Sequence, residues 1–208
     1  MDTTVIAQLL GPFIQLDEMR LCAISKYIDL LLKWNARINL TAIRTPEEIV
    51  QRHFGESFFV AHSLLSQGAV KDVIDLGSGA GFPGMPFAML APEAHVTLIE
   101  SNHKKATFLK ELGFSLGLKN VTVFAGRAEM FSGTSTVVTM RAVENFDKTL
   151  PLALRLVGHG GRIALMIGSS QVDAAEKLVG QVEWNTPIAI PGGHSRVLFV
   201  GSKRVKVE

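Results

Sequence analysis

Residues 73–84 of this 208-residue chain read Val-Ile-Asp-Leu-Gly-Ser-Gly-Ala-Gly-Phe-Pro-Gly, and no other stretch limits the fold so strongly. A short apolar strand runs into Asp75 and then into Gly77, Gly79, Gly81 and Gly84. Glycines let the backbone take positive φ and let a ligand approach without meeting a Cβ. Pro83 suits the first turn of a helix, where its missing N–H leaves nothing unpaired. Strand, glycine turn and helix start together make the nucleotide-binding corner of an open α/β sheet. The chain from residue 70 onward fits such a sheet. Short β-like runs at 70–75, 96–100, 121–125, 136–140 and 161–167 alternate with helical segments at 85–90, 104–116 and 148–157. This alternation predicts right-handed βαβ units and a mostly parallel, doubly wound sheet. Ala189-Ile190 and residues 197–200 flank Pro191-Gly192-Gly193-His194, which reads as an antiparallel C-terminal hairpin. The basic tail Lys203-Arg204-Val205-Lys206 reads as a frayed, solvated end.

Residues 1–66 read instead as an N-terminal helical annex, ahead of one compact unit spanning 67–208. Leu21, Ile24, Ile28 and Leu31 form an amphipathic stripe, with Lys26, Asp29 and Lys33 off it. Thr45-Pro46-Glu47-Glu48 is a capping box with proline at the first helical position, so a new helix starts there and 35–41 is a polar link. Hydrophobic residues at 47% and charged ones at 19% describe a folded globular chain rather than a disordered one. The single cysteine, Cys22, rules out a disulfide framework and reads as a small core residue of a helix. No apolar run approaches the roughly 20 residues of a membrane span. The start Met1-Asp2-Thr3-Thr4 lacks the basic and apolar regions of a secretory leader, so a cytoplasmic protein is expected. With no sustained heptad, a monomer is the default expectation. A net charge of +2 is too small to name a partner.

Taken literally, Gly79-Ala80-Gly81-Phe82-Pro83-Gly84 satisfies the G-x-G-x-x-G rule, and Glu100 follows at the spacing of a dinucleotide site. Three features oppose that reading. Asp75 would meet a pyrophosphate with a like charge, and suits a ligand carrying an ammonium group. Gly77 shifts the motif to acid-x-G-x-G-x-G. No extended substrate domain follows residue 168. The arrangement resembles the cofactor corner of Rossmann-like, S-adenosylmethionine-dependent methyltransferases. That cofactor has no phosphate, and both ribose hydroxyls can donate to one carboxylate, for which Glu100 is placed.

The likeness sharpens over more of the chain. Trp34-Asn35, residues 38–43 (Ile-Asn-Leu-Thr-Ala-Ile) and Arg52-His53-Phe54 resemble the N-terminal signature of the glucose-inhibited division protein B family, bacterial 16S rRNA guanine-N7 methyltransferases. Residues 77–84, Lys104-Lys105 with Phe108-Leu109, residues 118–121, Arg127-Ala128-Glu129 and Arg141-Ala142 continue the match in order, with a weaker tail at Ser195-Arg196. The resemblance implies a class I methyltransferase that binds S-adenosylmethionine and acts on 16S rRNA or the small ribosomal subunit. By position, the family's cofactor residues fall on Gly77, Phe82, Ala128, Glu129 and Arg141. Asp75, Gly79, Gly81 and Glu100 join them from the reading of the loop itself. Arg141 is open to two roles, the methionyl carboxylate or the RNA.

Guanine N7 carries a lone pair and no proton, so attack on an activated methyl needs no general base, and positioning should dominate. No catalytic acid–base pair is expected, and the six histidines show no metal-ligand spacing. RNA contacts would come from Arg37, Arg44, Arg52, His53, Lys104, Lys105 and Arg196; for His53, bracing the annex is the equal alternative. The chain departs from the family pattern at Gly55-Glu56-Ser57, where an Asp-Ser pair is usual. It departs again at Ile167, which replaces a lysine, at Asn102-His103, and at Lys105, which replaces an arginine. Two alternatives compete: methyl transfer to a protein or small molecule, and a non-catalytic RNA-binding or ribosome-assembly factor. A nicotinamide oxidoreductase stands further off.

Overall fold

The computed structural model describes residues 1–204 except Glu144, Gln181 and His194, so His194 in the expected hairpin and Val205-Lys206 in the expected tail lie outside the described residues. Among the described residues, eight strands form one sheet: β1 (Asp72–Leu76), β2 (His95–Glu100), β3 (Val121–Ala125), β4 (Ser135–Arg141), β5 (Val157–Gly168), β6 (Val182–Trp184), β7 (Ile188–Ala189) and β8 (Arg196–Lys203). The order is β3-β2-β1-β4-β5-β8-β6, with β7 beside β8. β1 to β5 are mutually parallel, and β8 runs antiparallel to β5, β6 and β7. The sheet is therefore mostly parallel with an antiparallel end. β1 has β2 on one side and β4 on the other, so the strand order reverses there and opens a crevice at the C-terminal ends.

Strand alternation feeds two cores. Val73, Val96, Leu98, Val137, Ala164 and Met166 face the N-terminal helices, while Ile74, Ile99, Val138, Met140, Leu165 and Ile167 face the opposite layer. The first layer contains α1 (Thr3–Leu10), α2 (Glu18–Asn35) and the helical run that begins with α3 (Pro46–Glu48). That run passes through a π-helical segment, Ile49–Gly55, into α4 (Glu56–Leu65). Asp17 caps α2 by accepting from Arg20 N–H at 2.8 Å, and Thr45 Oγ1 accepts from Glu48 N–H, as the capping box predicts. The other helices are α5 (Gly84–Leu90), α6 (His103–Ser115), α7 (Phe146–Leu156) and α8 (Val172–Leu178).

Several sequence expectations need correction. Cys22 is exposed, its Sγ near Glu18 Oε1, because it points off the Leu21–Ile24–Tyr27–Ile28–Leu31 stripe that enters the core. Lys203 belongs to β8, not to a frayed tail, and its Nζ donates to the carbonyls of Leu154 and Val157 at 3.3 and 2.7 Å. β5 starts at Val157 rather than 161. It absorbs the glycines through a register shift against β4, whose Ser135 and Val137 face Val157 and Arg162. α8 and β6 were not expected at all.

Candidate active site

The glycine loop begins at the C-terminal end of β1. Gly77, Gly79 and Gly81 all hold positive φ, at 72°, 56° and 95°. Gly84, at the start of α5, is needed for space: a Cβ there would collide with Leu98 and Asp75. Four of the loop's N–H groups are bonded within the protein. Gly77 and Ser78 donate to Ile99 O at 2.9 and 3.1 Å, and Gly81 donates to Ser78 O at 2.6 Å. Gly79 donates to Glu100 Oε2 at 2.8 Å, while Glu100 Oε1 accepts from Asn102 N–H at 2.7 Å. These four donors are thus already satisfied by the protein and are not free for a phosphate.

Beneath the loop lies Asp75, 1% exposed. Its Oδ1 accepts from Thr139 Oγ1 at 2.8 Å and its Oδ2 from Gly84 N–H at 3.1 Å, tying β1 to β4 and to α5. Burial pushes its carboxyl up to about 6, against the pull of these hydrogen bonds. Asp75 does not line the cavity above it.

That cavity measures about 520 Å³. Its walls are Gly77, Ser78, Gly79, Ala80 and Phe82 from the loop, Glu100, Ser101 and Asn102 after β2, Lys105 from α6, Arg141, Ala142 and Val143 after β4, Thr149 from α7, and Leu40 from the annex. Asn102 caps α6, accepting from the N–H groups of Lys104 and Lys105, which accounts for asparagine at this position. A smaller recess of about 280 Å³ adjoins it, shares Leu76, Gly77 and Ser101, and is lined by Ala128 and Glu129. Glu129 is exposed and makes no ion pair among the described residues, while the Ala128 carbonyl accepts from Arg155.

The annex supports the loop directly. Tyr27 and His53 both stack on Phe82, with ring centroids 5.1 and 4.7 Å apart, and Phe54 meets it edge-on at 5.0 Å. Tyr27 Oη donates to Ala80 O at 2.6 Å, and burial raises its phenol well above the ordinary value. Gly81 leaves room for that hydroxyl. His53 Nε2 lies 2.8 Å from Thr41 Oγ1. Burial, with Arg141, Arg52 and Arg196 nearby, lowers its imidazole to about 3, so it is neutral at ordinary pH. Asn35 Oδ1 accepts from Leu40 and Thr41 N–H at 2.9 and 3.1 Å, pinning the segment that brings Leu40 to the cavity. Tyr27 and Asn35 were not among the expected site residues. The sequence signal for Tyr27 was its place on the α2 stripe.

A third cavity, about 270 Å³, lies behind the wall of Arg141, Ala142 and Val143. Arg52 and Arg196 also line it, with Met140, Phe146, Met166, Ile167, Gly168 and Gln171. Glu56, 1% exposed, pairs with Arg141 at 3.0 Å and with Arg196. Arg141 also donates to the Arg52 carbonyl at 2.6 Å, within the π-helical segment. Of the expected RNA contacts, Arg52, His53 and Arg196 thus gather around Arg141, and Lys105 lines the first cavity. Arg37, Arg44 and Lys104 are exposed and line no cavity described above. Glu56 was noted in the sequence only as a departure from a pattern; nothing there marked it as a buried partner of two arginines. No cluster of three or more His, Cys, Asp or Glu suited to a metal exists among the described residues.

An open sheet in this order, with a carboxylate-braced glycine loop at its switch point, has the Rossmann-like architecture of class I methyltransferases, and the family to which the chain belongs makes S-adenosylmethionine its cofactor. Residues 20–189 match the GidB family, described as rRNA small subunit methyltransferase G, and the chain belongs to that family. It is 40% identical over 201 residues to a ribosomal RNA small subunit methyltransferase G of Roseiflexus castenholzii, covering 90% of this chain and 85% of the relative. A Streptococcus pyogenes protein of the same name is 36% identical over 192 residues, covering 86% and 81%. Among solved structures, a SAM-dependent methyltransferase from Aquifex aeolicus shares the fold with a TM-score of 0.57 and 16% identity, over 86% of this chain and 97% of that one.

Proposed function

We propose that the chain transfers the methyl group of S-adenosylmethionine to N7 of a guanine in 16S rRNA, working in the cytoplasm on the rRNA or the small ribosomal subunit. Family membership and the names of the curated relatives support rRNA as the acceptor. The observation that carries the cofactor's placement is Glu100, 7% exposed on the cavity wall beside a loop with no spare N–H at four positions. Each of its oxygens accepts one hydrogen bond from the protein, and a carboxylate has about four acceptor sites, so both ribose hydroxyls can still be received. The same carboxylate repels a pyrophosphate. S-adenosylmethionine supplies a methyl already activated on a sulfonium.

The chain's residues have the remaining task of placement. Gly77 and Gly79 keep the cavity floor free of side chains, Phe82 gives an apolar wall, and Ala128 and Glu129 face the recess suited to the adenine. Asp75 and Gly81 act from beneath, holding the loop's shape. Because N7 has no proton to lose, none of these groups needs to act as a base. The helices of 1–66 brace the loop, and 67–208 carries the transfer. N7 is hidden in the deep groove of A-form RNA, so the target base must be unpaired or splayed out. The test is labelled methyl transfer to naked 16S rRNA, small subunits and total protein, followed by nucleoside analysis. Label in 7-methylguanosine is expected; label in protein or in another nucleoside would refute the assignment.

A further inference from the structure

The cofactor cavity has two chemically different ends. The adjoining recess of about 280 Å³ shares Leu76, Gly77 and Ser101 with it, but none of Leu40, Ala80, Phe82 or Arg141. With the adenine in that recess and the ribose at Glu100, the end walled by Leu40 and Phe82 is left for the methionyl portion and its sulfur. Among the described residues, Leu40 is the only one from 1–66 that lines the cavity, and it is 8% exposed. Its place is fixed with unusual care for a link between helices. Asn35, 5% exposed at the end of α2, accepts from the N–H groups of Leu40 and Thr41 and donates through Nδ2 to Thr41 O at 3.0 Å. A buried side-chain amide bonded in this way holds its partners in a single arrangement. Thr41 Oγ1 lies 2.8 Å from His53 Nε2, and His53 stacks on Phe82, so both apolar walls of this end share one support.

We propose that Leu40 is a specificity-determining residue for the methyl donor, closing the sulfonium end of the cavity against any substituent larger than methyl. Asn35 is its positioning residue. A sulfonium carries its charge beneath three carbon groups and has no N–H or O–H to donate, so an apolar wall leaves none of its atoms unpaired, as it would an ammonium. Leu40 packs within the core shared by annex and sheet, and a close-packed side chain on a pinned backbone has little room to retreat from a bulkier group. The inference rests on the proposed placement of the ribose at Glu100 and the adenine beside Ala128 and Glu129.

The test is calorimetry on the full chain with S-adenosylmethionine and with S-adenosylethionine, which differs by one CH2 on the sulfur. The unaltered chain is expected to favour the methyl compound at least about tenfold, the discrimination an apolar pocket draws from one methylene. Leu40→Ala should cut that preference by about fivefold or more, because the space it opens admits the added carbon. Leu40→Val should move it the same way by less. Asn35→Asp, which keeps the acceptor for both N–H groups but loses the donor to Thr41 O, should also lower the preference with Leu40 still present. Equal affinity of the unaltered chain for the two sulfoniums would overturn the assignment, and that comparison stands even if every variant misfolds. Leu40→Ala weakening both by the same factor, or neither, would also overturn it and make Leu40 a packing residue only. Glu100→Ala should weaken both compounds alike. If it weakens neither, the ribose placement fails, a result that is distinct from the ratio set by Leu40.

Discussion

Glu100 does two jobs with one carboxylate, and its substitution should show both. Glu100→Ala removes the acceptor for Gly79 N–H as well as the proposed ribose contacts. Cofactor affinity should fall by about 1–3 kcal/mol, the scale for hydrogen bonds to a charged acceptor. Calorimetry with S-adenosylmethionine checks this, and an unchanged affinity would refute the ribose role. Ala142 is a second informative residue, because it holds φ at 46° on the wall between the cavity beside the glycine loop and the one lined by Arg196. A non-glycine residue in the left-handed region costs about 1–2 kcal/mol, and such strain collects at ligand walls. Ala142→Gly should therefore raise stability by up to about 1 kcal/mol, after the entropy glycine adds to the unfolded chain. Denaturant unfolding measures it, and a destabilised variant would mean that the methyl group contributes packing that outweighs the strain.

At the scale of elements, Asp75 joins β1, β4 and α5 through Thr139 and Gly84. Its carboxyl is raised in the fold to about 6 from the ordinary 3.8, so the native state holds this proton more tightly than the unfolded chain does. Native stability from this group is greatest below the unfolded value and is lost as pH rises through about 6. Relative to Asp75→Asn, the native chain should lose roughly 2 kcal/mol between pH 4 and pH 7, since one pKa unit is about 1.4 kcal/mol and part of the loss already falls below pH 4. Unfolding curves at several pH values test this, and a difference independent of pH would refute it. The same residue shows what the sequence revealed and what it did not. Asp75, Gly77, Glu100 and the strands around them were legible because strand period and glycine spacing are local signals. That Asp75 would turn down onto Thr139, sixty-four positions away, is a tertiary fact with no local trace. Glu56 was illegible for the same reason, its two arginines lying 85 and 140 positions along the chain. α8 and β6 were missed because short edge elements carry too few residues to show a period.

For the whole molecule, the cofactor cavity is not the property of the sheet alone. Leu40 lines it, and Tyr27 and His53 stack on Phe82, so annex and sheet share one aromatic cluster as well as one core. A ligand at one hundred times its dissociation constant adds about 2.7 kcal/mol to the native state. That gain should spread across the shared cluster. Hydrogen exchange with saturating S-adenosylmethionine is expected to slow in α2 and in the π-helical segment as well as in β1. Protection confined to the sheet would show that the annex closes independently of the site.

The bonded N–H groups of the glycine loop have one more consequence. A loop of this spacing can seat a phosphorylated nucleotide, yet here the N–H groups of Gly77, Ser78, Gly79 and Gly81 are taken before any ligand arrives. Discrimination at this corner is thus a refusal built into the empty fold, made by the backbone and one carboxylate rather than by contacts to the favoured ligand. A pyrophosphate would meet four closed donors and a carboxylate at this corner, whereas S-adenosylmethionine, which carries no phosphate, asks for no anion-binding donor there.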